Sequence, residues 1–164
     1  MSDNRVASFV RKVTSFFVES ASDVRPEAIQ KVDNALAVSG LDTSACAVGD
    51  LGAIKADTPN TVVKTDAHTS LALAKFAGVV VGDGWLQTHG LARVKFKSGL
   101  TLAANDPVYV CVTADTGKAT NVKPAASGDY PVLIGTLVDP GSYSSDGTAV
   151  VLLKGGCELP VVLP

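Results

Sequence analysis

The pattern of hydrophobic and polar residues changes near Gly40. Before that point, apolar residues recur every three to four positions, the period of an amphipathic helix. After it, short β-branched runs alternate with turn-forming Gly, Pro, Asn and Asp residues, many of them spaced by about 8–12 residues, as in small barrels and sandwiches. We therefore predict a mainly β protein, a β-barrel or sandwich of short antiparallel strands over residues 41–156. A helical segment over 1–40 precedes it, and an extended arm over 157–164 follows.

The helical pattern is clearest over residues 4–19. Six large apolar side chains fall on one stripe of a 3.6-residue period: Val6, Phe9, Val10, Val13, Phe16 and Phe17. Such a stripe has to be covered, either by the chain's own core or by a neighbouring subunit. Pro26 stands where a second helix would begin and Gly40 where it would stop, which predicts a helix over about 26–38. The last residues of that range, 35–38, are equally compatible with the start of a strand.

Beyond Gly40, six runs between turn signals are predicted to be strands: 61–64, 78–81, 92–96, 108–112, 132–137 and 148–153. Polar and apolar residues alternate over Leu91–Lys97, which directs Val94 and Phe96 into the core. The run 108–112 is apolar on both faces, so we expect it to be central or covered on both sides. The turn at 115–118 is predicted to be a tight hairpin in which Gly117 takes a positive φ.

Two further stretches have candidate contact residues. The turn Gly82–Asp83–Gly84 precedes Trp85, the only tryptophan, which we expect to be partly exposed. The arm over 157–164 is apolar and has two prolines, which keep it out of the centre of a sheet. It would pack either on its own barrel or on a neighbouring subunit. Its large apolar residues are Leu159, Val161, Val162 and Leu163.

Composition narrows the class of protein. Hydrophobic residues make up 46% of the chain and charged residues 18%, which is too apolar for a disordered protein and suits a surface partly covered by partners. The net charge of −2 and an aromatic content of 5% argue against nucleic-acid binding. No apolar run approaches the length of a membrane span and no signal-peptide pattern is present, so we expect synthesis in a cytoplasm.

The residues that usually catalyse reactions form no recognisable motif. Asp66–Ala67–His68 resembles a fragment of a triad or metal site, but no second ligand lies at metal-binding spacing, and His68 and His89 are expected to be loop histidines. No nucleophile elbow, phosphate-binding loop or carrier lysine motif occurs. The three cysteines, Cys46, Cys111 and Cys157, are expected to be buried thiols, and an intersubunit disulfide stays open. We expect no catalytic residues, no metal and no cofactor.

The order of strands and turns resembles a known family. "AGVVVGDG", then "GLARVKFKSGLTLAANDPVYVCVTADTGKATNV", then "PVLIGTLVD" and "GTAVVLL" are similar to the small β-barrel capsid decoration, or cement, proteins of tailed bacteriophages. The similarity covers about residues 47–154. Here Asn105–Asp106 stands where the family often has Gly-Asp. These motifs are structural, because they are the turns of one barrel.

The resemblance implies a virion protein without catalysis, made in the host cytoplasm, that binds the exterior of a capsid. It would contact the major capsid protein and its own copies, commonly as a homotrimer, and bridge capsomers without nucleic acid or membrane. We expect the contacts at the helical stripe, at Trp85 and at the arm. One alternative is a non-catalytic surface β-barrel module that binds carbohydrate, through Trp85, Tyr130 and Tyr143, or another ligand. Another is an enzyme whose site is assembled between subunits from His68, His89 and Asp residues.

Overall fold

The structure is a computed structural model that describes residues 37–141 and 143–154. All of these residues belong to one compact unit. The predicted helix over 4–19, most of the second predicted helix and the arm over 157–164 lie outside the described residues.

The described chain is mainly β, as predicted. Its strands, in chain order, are β1 (Ala37–Val38), β2 (Leu51–Ile54), β3 (Val62–Lys64), β4 (Gly78–Gly82), β5 (Trp85–Gln87), β6 (His89–Lys95), β7 (Pro107–Val110), β8 (Ala119–Thr120), β9 (Leu133–Asp139) and β10 (Thr148–Lys154). One-turn helices α1 (Leu71–Ala74) and α2 (Tyr143–Asp146) and a 3-10 turn at Thr113–Asp115 lie between strands. No helix in these ranges is long and apolar enough to cross a membrane.

All six predicted strands are present, as β3, β4, β6, β7, β9 and β10. The prediction of a helix as far as residue 38 is wrong at its last two residues. Ala37 and Val38 form β1, the alternative that the sequence left open, because β5 supplies antiparallel partners for their backbone groups. Strands β2, β5 and β8 were not predicted; each has two to four residues.

The strands form two five-stranded sheets, ordered β1-β5-β4-β2-β3 and β6-β10-β9-β7-β8. The second sheet closes on itself, because Phe96, directly after β6, forms a parallel bridge with Ala119 of β8. The amide of Lys97 then donates to the carbonyl of Ala119 at 3.0 Å. The two end strands of the sheet, β6 and β8, thus meet at one end, which gives a small barrel.

The main core fills this barrel and continues under the first sheet. Side chains that alternate along each strand point inward and are almost fully buried, among them Val94, Phe96, Val110, Leu137, Val151 and Leu153. Leu51 and Val79 of the first sheet join the same core. A second, smaller core of Val62, Val80 and Leu86 lies on the other face of that sheet.

Left-handed backbone positions fix the turns. Gly117 has φ 75°, as predicted, and Lys118 N donates to Asp115 O at 3.1 Å. The prediction of a tight hairpin is wrong, because β7 ends at Val110, β8 begins at Ala119 and the 3-10 turn at Thr113–Asp115 lies between them. Asn105 has φ 72° at the position where the resemblance led us to expect glycine. Asparagine is one of the few residues that enters this region readily, so the same turn forms with a different residue.

Candidate interaction surface

The outer face of the β6–β10 pair has exposed apolar residues at its centre, between polar and charged residues towards both ends. Leu91 of β6 lies directly opposite Leu152 of β10 in the antiparallel register, so both side chains project on the same face. They are 45% and 48% exposed. Val150 follows on β10, and Thr136 of β9 lies on the other side of Leu152. Two exposed leucines directly opposite each other on neighbouring strands are the start of a hydrophobic patch.

Charged groups border this patch. Arg93 lies two residues from Leu91 and its guanidinium is 3.6 Å from the Asp146 carboxylate. At the other end of the patch, Lys154 of β10 lies directly opposite His89 of β6 in the strand register. An apolar centre with a polar rim is the usual anatomy of a protein–protein contact surface.

Trp85 occupies a different surface. It begins β5 after the turn at Gly84, which has φ 73°, and its side chain is 38% exposed, as expected. Val38 is also exposed and belongs to β1, the strand that pairs with β5. Trp85 is therefore the one predicted contact residue inside the described ranges, and it lies on the first sheet rather than on the leucine face.

A buried carboxylate joins the first sheet to the barrel. Asp50 is 4% exposed, and its oxygens lie 3.3 Å from Lys64 Nζ of β3 and 3.1 Å from Lys95 Nζ of β6. The amide of Ala47 donates to the same carboxylate at 2.9 Å. The two lysines remain partly exposed, so this cluster holds two sheets together without placing an unpaired charge in the core.

The structure pairs His68 with a residue far away in sequence. His68 Nδ1 lies 2.8 Å from Oδ1 of the buried Asp129. Asp66, two residues before His68, accepts from the backbone amide of His68 and from the hydroxyl of Thr69. The Thr69 hydroxyl is thereby engaged with Asp66. The contact between His68 and Asp129 joins two loops. The hydroxyl of Thr69, the residue next to His68, has a structural role, because it donates to Asp66.

His89 lies at the start of β6, exposed, with Nδ1 2.6 Å from the hydroxyl of its neighbour Thr88. Within residues 37–141 and 143–154, no group of three or more His, Cys, Asp or Glu side chains is arranged to hold a metal ion. The two histidines thus have separate partners in the described chain.

Two thiols lie in the described chain, and both are free. Cys111 is buried after β7, and burial, followed by the nearby Asp115 carboxylate, raises the pKa of its thiol to about 12. Burial also raises the pKa of the half-buried Cys46 thiol, and Asp50 adds to this shift. A thiol with a raised pKa is a weak nucleophile near neutral pH, as the apolar run around Cys111 predicted. Cys157 lies outside the described residues.

The three aromatic residues considered for carbohydrate binding differ in burial and in their contacts. Tyr143 packs edge-on against Phe96 with ring centroids 6.3 Å apart. Its hydroxyl donates to Lys97 O at 2.7 Å and accepts from Leu100 N at 2.8 Å. Tyr130, like Tyr143, is half-buried against the main core. Trp85 alone presents an exposed face, whereas sugar stacking by this set would need several.

Most of the predicted contact residues lie outside the described chain: the stripe Val6, Phe9, Val10, Val13, Phe16 and Phe17, and the arm residues Leu159, Val161, Val162 and Leu163. They stay predictions. Sequence reasoning missed the leucine face. The signal that could have found it was the run 148–153, in which every residue after Thr148 is apolar, so that the strand has an apolar outward face as well as an inward one.

Comparison with known proteins adds one structural similarity and no family. No protein-family model matches this chain, and no curated protein matches it. Among solved structures, a chain described as "The capsid of Myoviridae Phage XM1" aligns with a TM-score of 0.45 and 19% sequence identity. The alignment covers 70% of this chain and 76% of that one. A similarity at this level assigns neither a family nor a function.

Proposed function

We propose that this chain is a structural virion protein, which binds the exterior of a bacteriophage capsid and bridges neighbouring capsomers. Its copies form a homo-oligomer, a trimer by the resemblance, and its partner is the major capsid protein. It acts by binding and not by catalysis. The proposal is supported by the family resemblance over residues 47–154 and by a barrel whose strands coincide with the quoted segments.

The observation that carries the proposal is the leucine pair on the barrel's outer face. Fully burying one leucine contributes about 1.5–3 kcal/mol. Leu91 and Leu152 are each about half exposed, so covering both by a partner would add about 2 kcal/mol. That is roughly a thirtyfold gain in a binding constant. A single contact of this strength is weak, but an oligomer that contacts several capsid subunits at once binds by avidity.

The test replaces both leucines, Leu91→Lys with Leu152→Lys, and measures occupancy on empty capsids of the parent phage by co-sedimentation. The matched control is Ile54→Lys, which changes a similarly exposed apolar residue at the end of β2. We expect the double variant to keep its melting temperature and to lose at least tenfold in occupancy, while Ile54→Lys binds normally. Equal binding by all three proteins would refute the role of this face.

The mass of the native particle, alone and mixed with empty capsids, tests the function itself. A defined oligomer that joins the capsid peak is expected. A monomer that ignores capsids would refute the proposal whatever the leucine variants do. Deleting residues 1–20 tests the predicted stripe around Phe9, Val13 and Phe16: if oligomeric state and occupancy survive the deletion, the stripe has no part in assembly.

A further inference from the structure

A groove of about 390 Å³ opens beside the end of β7. Apolar residues make up much of its lining: Cys111, Val112, Ala114, Val122, Pro124 and Ala125. Val112 and Val122 are exposed, at 36% and 58%. Its volume is large enough for a small ligand or a short peptide, and its apolar lining favours a segment with aliphatic side chains.

The charges around this groove are unbalanced. Its two acidic residues already have cationic or hydrogen-bonding partners, since Asp115 lies 2.8 Å from Lys118 Nζ and Asp129 lies 2.8 Å from the His68 ring. Its two lysines, Lys97 and Lys123, have no carboxylate partner within the described part of the chain. The groove therefore favours an apolar segment that has a negative charge.

The chain itself contains such a segment directly after β10. Residues 157–164 read Cys-Glu-Leu-Pro-Val-Val-Leu-Pro, with Glu158 as the only charged residue. Its two prolines favour an extended backbone and disfavour sheet pairing. Gly155 and Gly156 precede it and allow the chain to change direction after Lys154.

The ladder of strand pairs shows that the segment can reach the groove. Leu153 of β10 lies opposite Gly135 of β9, and Gly135 lies opposite Val108 of β7. Two strand spacings amount to about 10 Å. Cys111 lies three residues, about 10 Å, beyond Val108 and directly after the end of β7, so the gap from Leu153 is about 14 Å. The five residues from Leu153 to Glu158 extend up to about 17 Å. Glu158 would thus arrive at the mouth of the groove, and the rest of the segment would run along it.

We infer that residues 157–164 fold back on their own barrel and occupy this groove, with Glu158 beside Lys97 and Lys123. Attachment through two glycines gives the segment an effective concentration in the millimolar range at its own groove, which a second copy would match only in a crowded assembly. The sequence left two surfaces open for the arm, its own body or a neighbour, and the charge and reach of the groove favour the former. This inference does not depend on the proposed function.

The test uses the native Cys157 as a reporter in the full chain. In a Cys46→Ser background, Val122→Cys places a thiol at the groove, and Val48→Cys, equally exposed but elsewhere, is the matched control. Under mild oxidation at low protein concentration, we expect an intramolecular 122–157 disulfide, identified by peptide mapping. It should form at least tenfold faster than the 48–157 link and at a rate independent of protein concentration.

Charge reversal gives a second readout. Glu158→Lys should slow the 122–157 link several-fold, and adding Lys97→Glu with Lys123→Glu should restore it. Equal rates at positions 48 and 122, or products that are mainly disulfide-linked dimers, would overturn the inference. The dimer outcome would assign the arm to a neighbouring copy. Either result is separable from capsid binding, which is measured with unmodified protein.

Discussion

The tightest backbone approach in the barrel is at Gly135, and replacing this residue with alanine should destabilise the protein strongly. A Cβ atom at this position would lie 2.2 Å from the carbonyl oxygen of Leu152 and 3.1 Å from Cα of Leu153. Both neighbours are backbone atoms of β10, so no side-chain rotation relieves the clash. Strands β9 and β10 would have to separate by about 1 Å from their spacing of about 4.8 Å.

The expected magnitude follows from what that separation breaks. Moving the strands apart weakens about two ladder hydrogen bonds, each contributing about 1 kcal/mol. It also disturbs the inward packing of Leu137, Val151 and Leu153, and overpacking of a filled core costs about 1–3 kcal/mol. The sum is about 3–5 kcal/mol. For a domain of this size that corresponds to a fall in melting temperature of roughly 10–15 °C.

The control is Gly82→Ala. Gly82 lies in β4, where an added Cβ would have no atom within 4 Å, and it has no positive φ. Thermal unfolding by circular dichroism and urea titration measure both variants against the unmodified chain. We expect Gly82→Ala to change stability by less than about 0.5 kcal/mol, within the range of most surface substitutions. If Gly135→Ala is as stable as Gly82→Ala, β9 and β10 do not approach each other as closely at Gly135 as described here.

Three further predictions test other parts of the structure. In urea unfolding, Asn105→Ala should be about 1 kcal/mol less stable than Asn105→Gly, because φ 72° strains alanine. Equal stability of the two variants would contradict a left-handed conformation at this turn. Asp50→Asn should lose about 1–2 kcal/mol in urea unfolding, since two half-exposed lysines lose their partner, whereas Asp57→Asn, in an exposed pair, should lose almost nothing. The Cys111 thiol, with a pKa of about 12 against an ordinary 9.0, should react with a disulfide reagent at pH 8 roughly 1,000-fold more slowly than in the urea-unfolded chain. Comparable rates would mean that this thiol is accessible.

The strands that were predicted from the sequence are those whose own pattern of polar and apolar residues is typical of a strand. Strand β6 is an example: Val94 and Phe96 alternate with Arg93 and Lys95, and the structure buries the first pair. Strands β2, β5 and β8 escaped prediction because they are short and depend on partners distant in sequence. Two-residue β8, for instance, is defined by pairing with β7 and by the bridge from Ala119 to Phe96. No local pattern specifies such a contact.

The candidate surface was predictable only in part. The exposure of Trp85 followed from its glycine turn, because a hairpin end is rarely covered by the rest of a small barrel. The pairing of Leu91 with Leu152 depends on the register between strands distant in sequence, which hydrophobic periodicity does not determine. The same holds for His68 and Asp129, which lie 61 residues apart in sequence and meet only in the fold.

The distinction between folding and binding is sharpest on β10. Its inward side chains, Ala149, Val151 and Leu153, are buried and account for its place in the barrel. Leu152 projects outward between two of them, so a polar residue there would leave the core unchanged. Single exposed apolar residues are ordinary, but here the directly opposite residue, Leu91, is apolar and exposed too. Folding does not require that pair, so its apolar character is better explained by a partner that covers it. Lysine at both positions should therefore separate binding from stability.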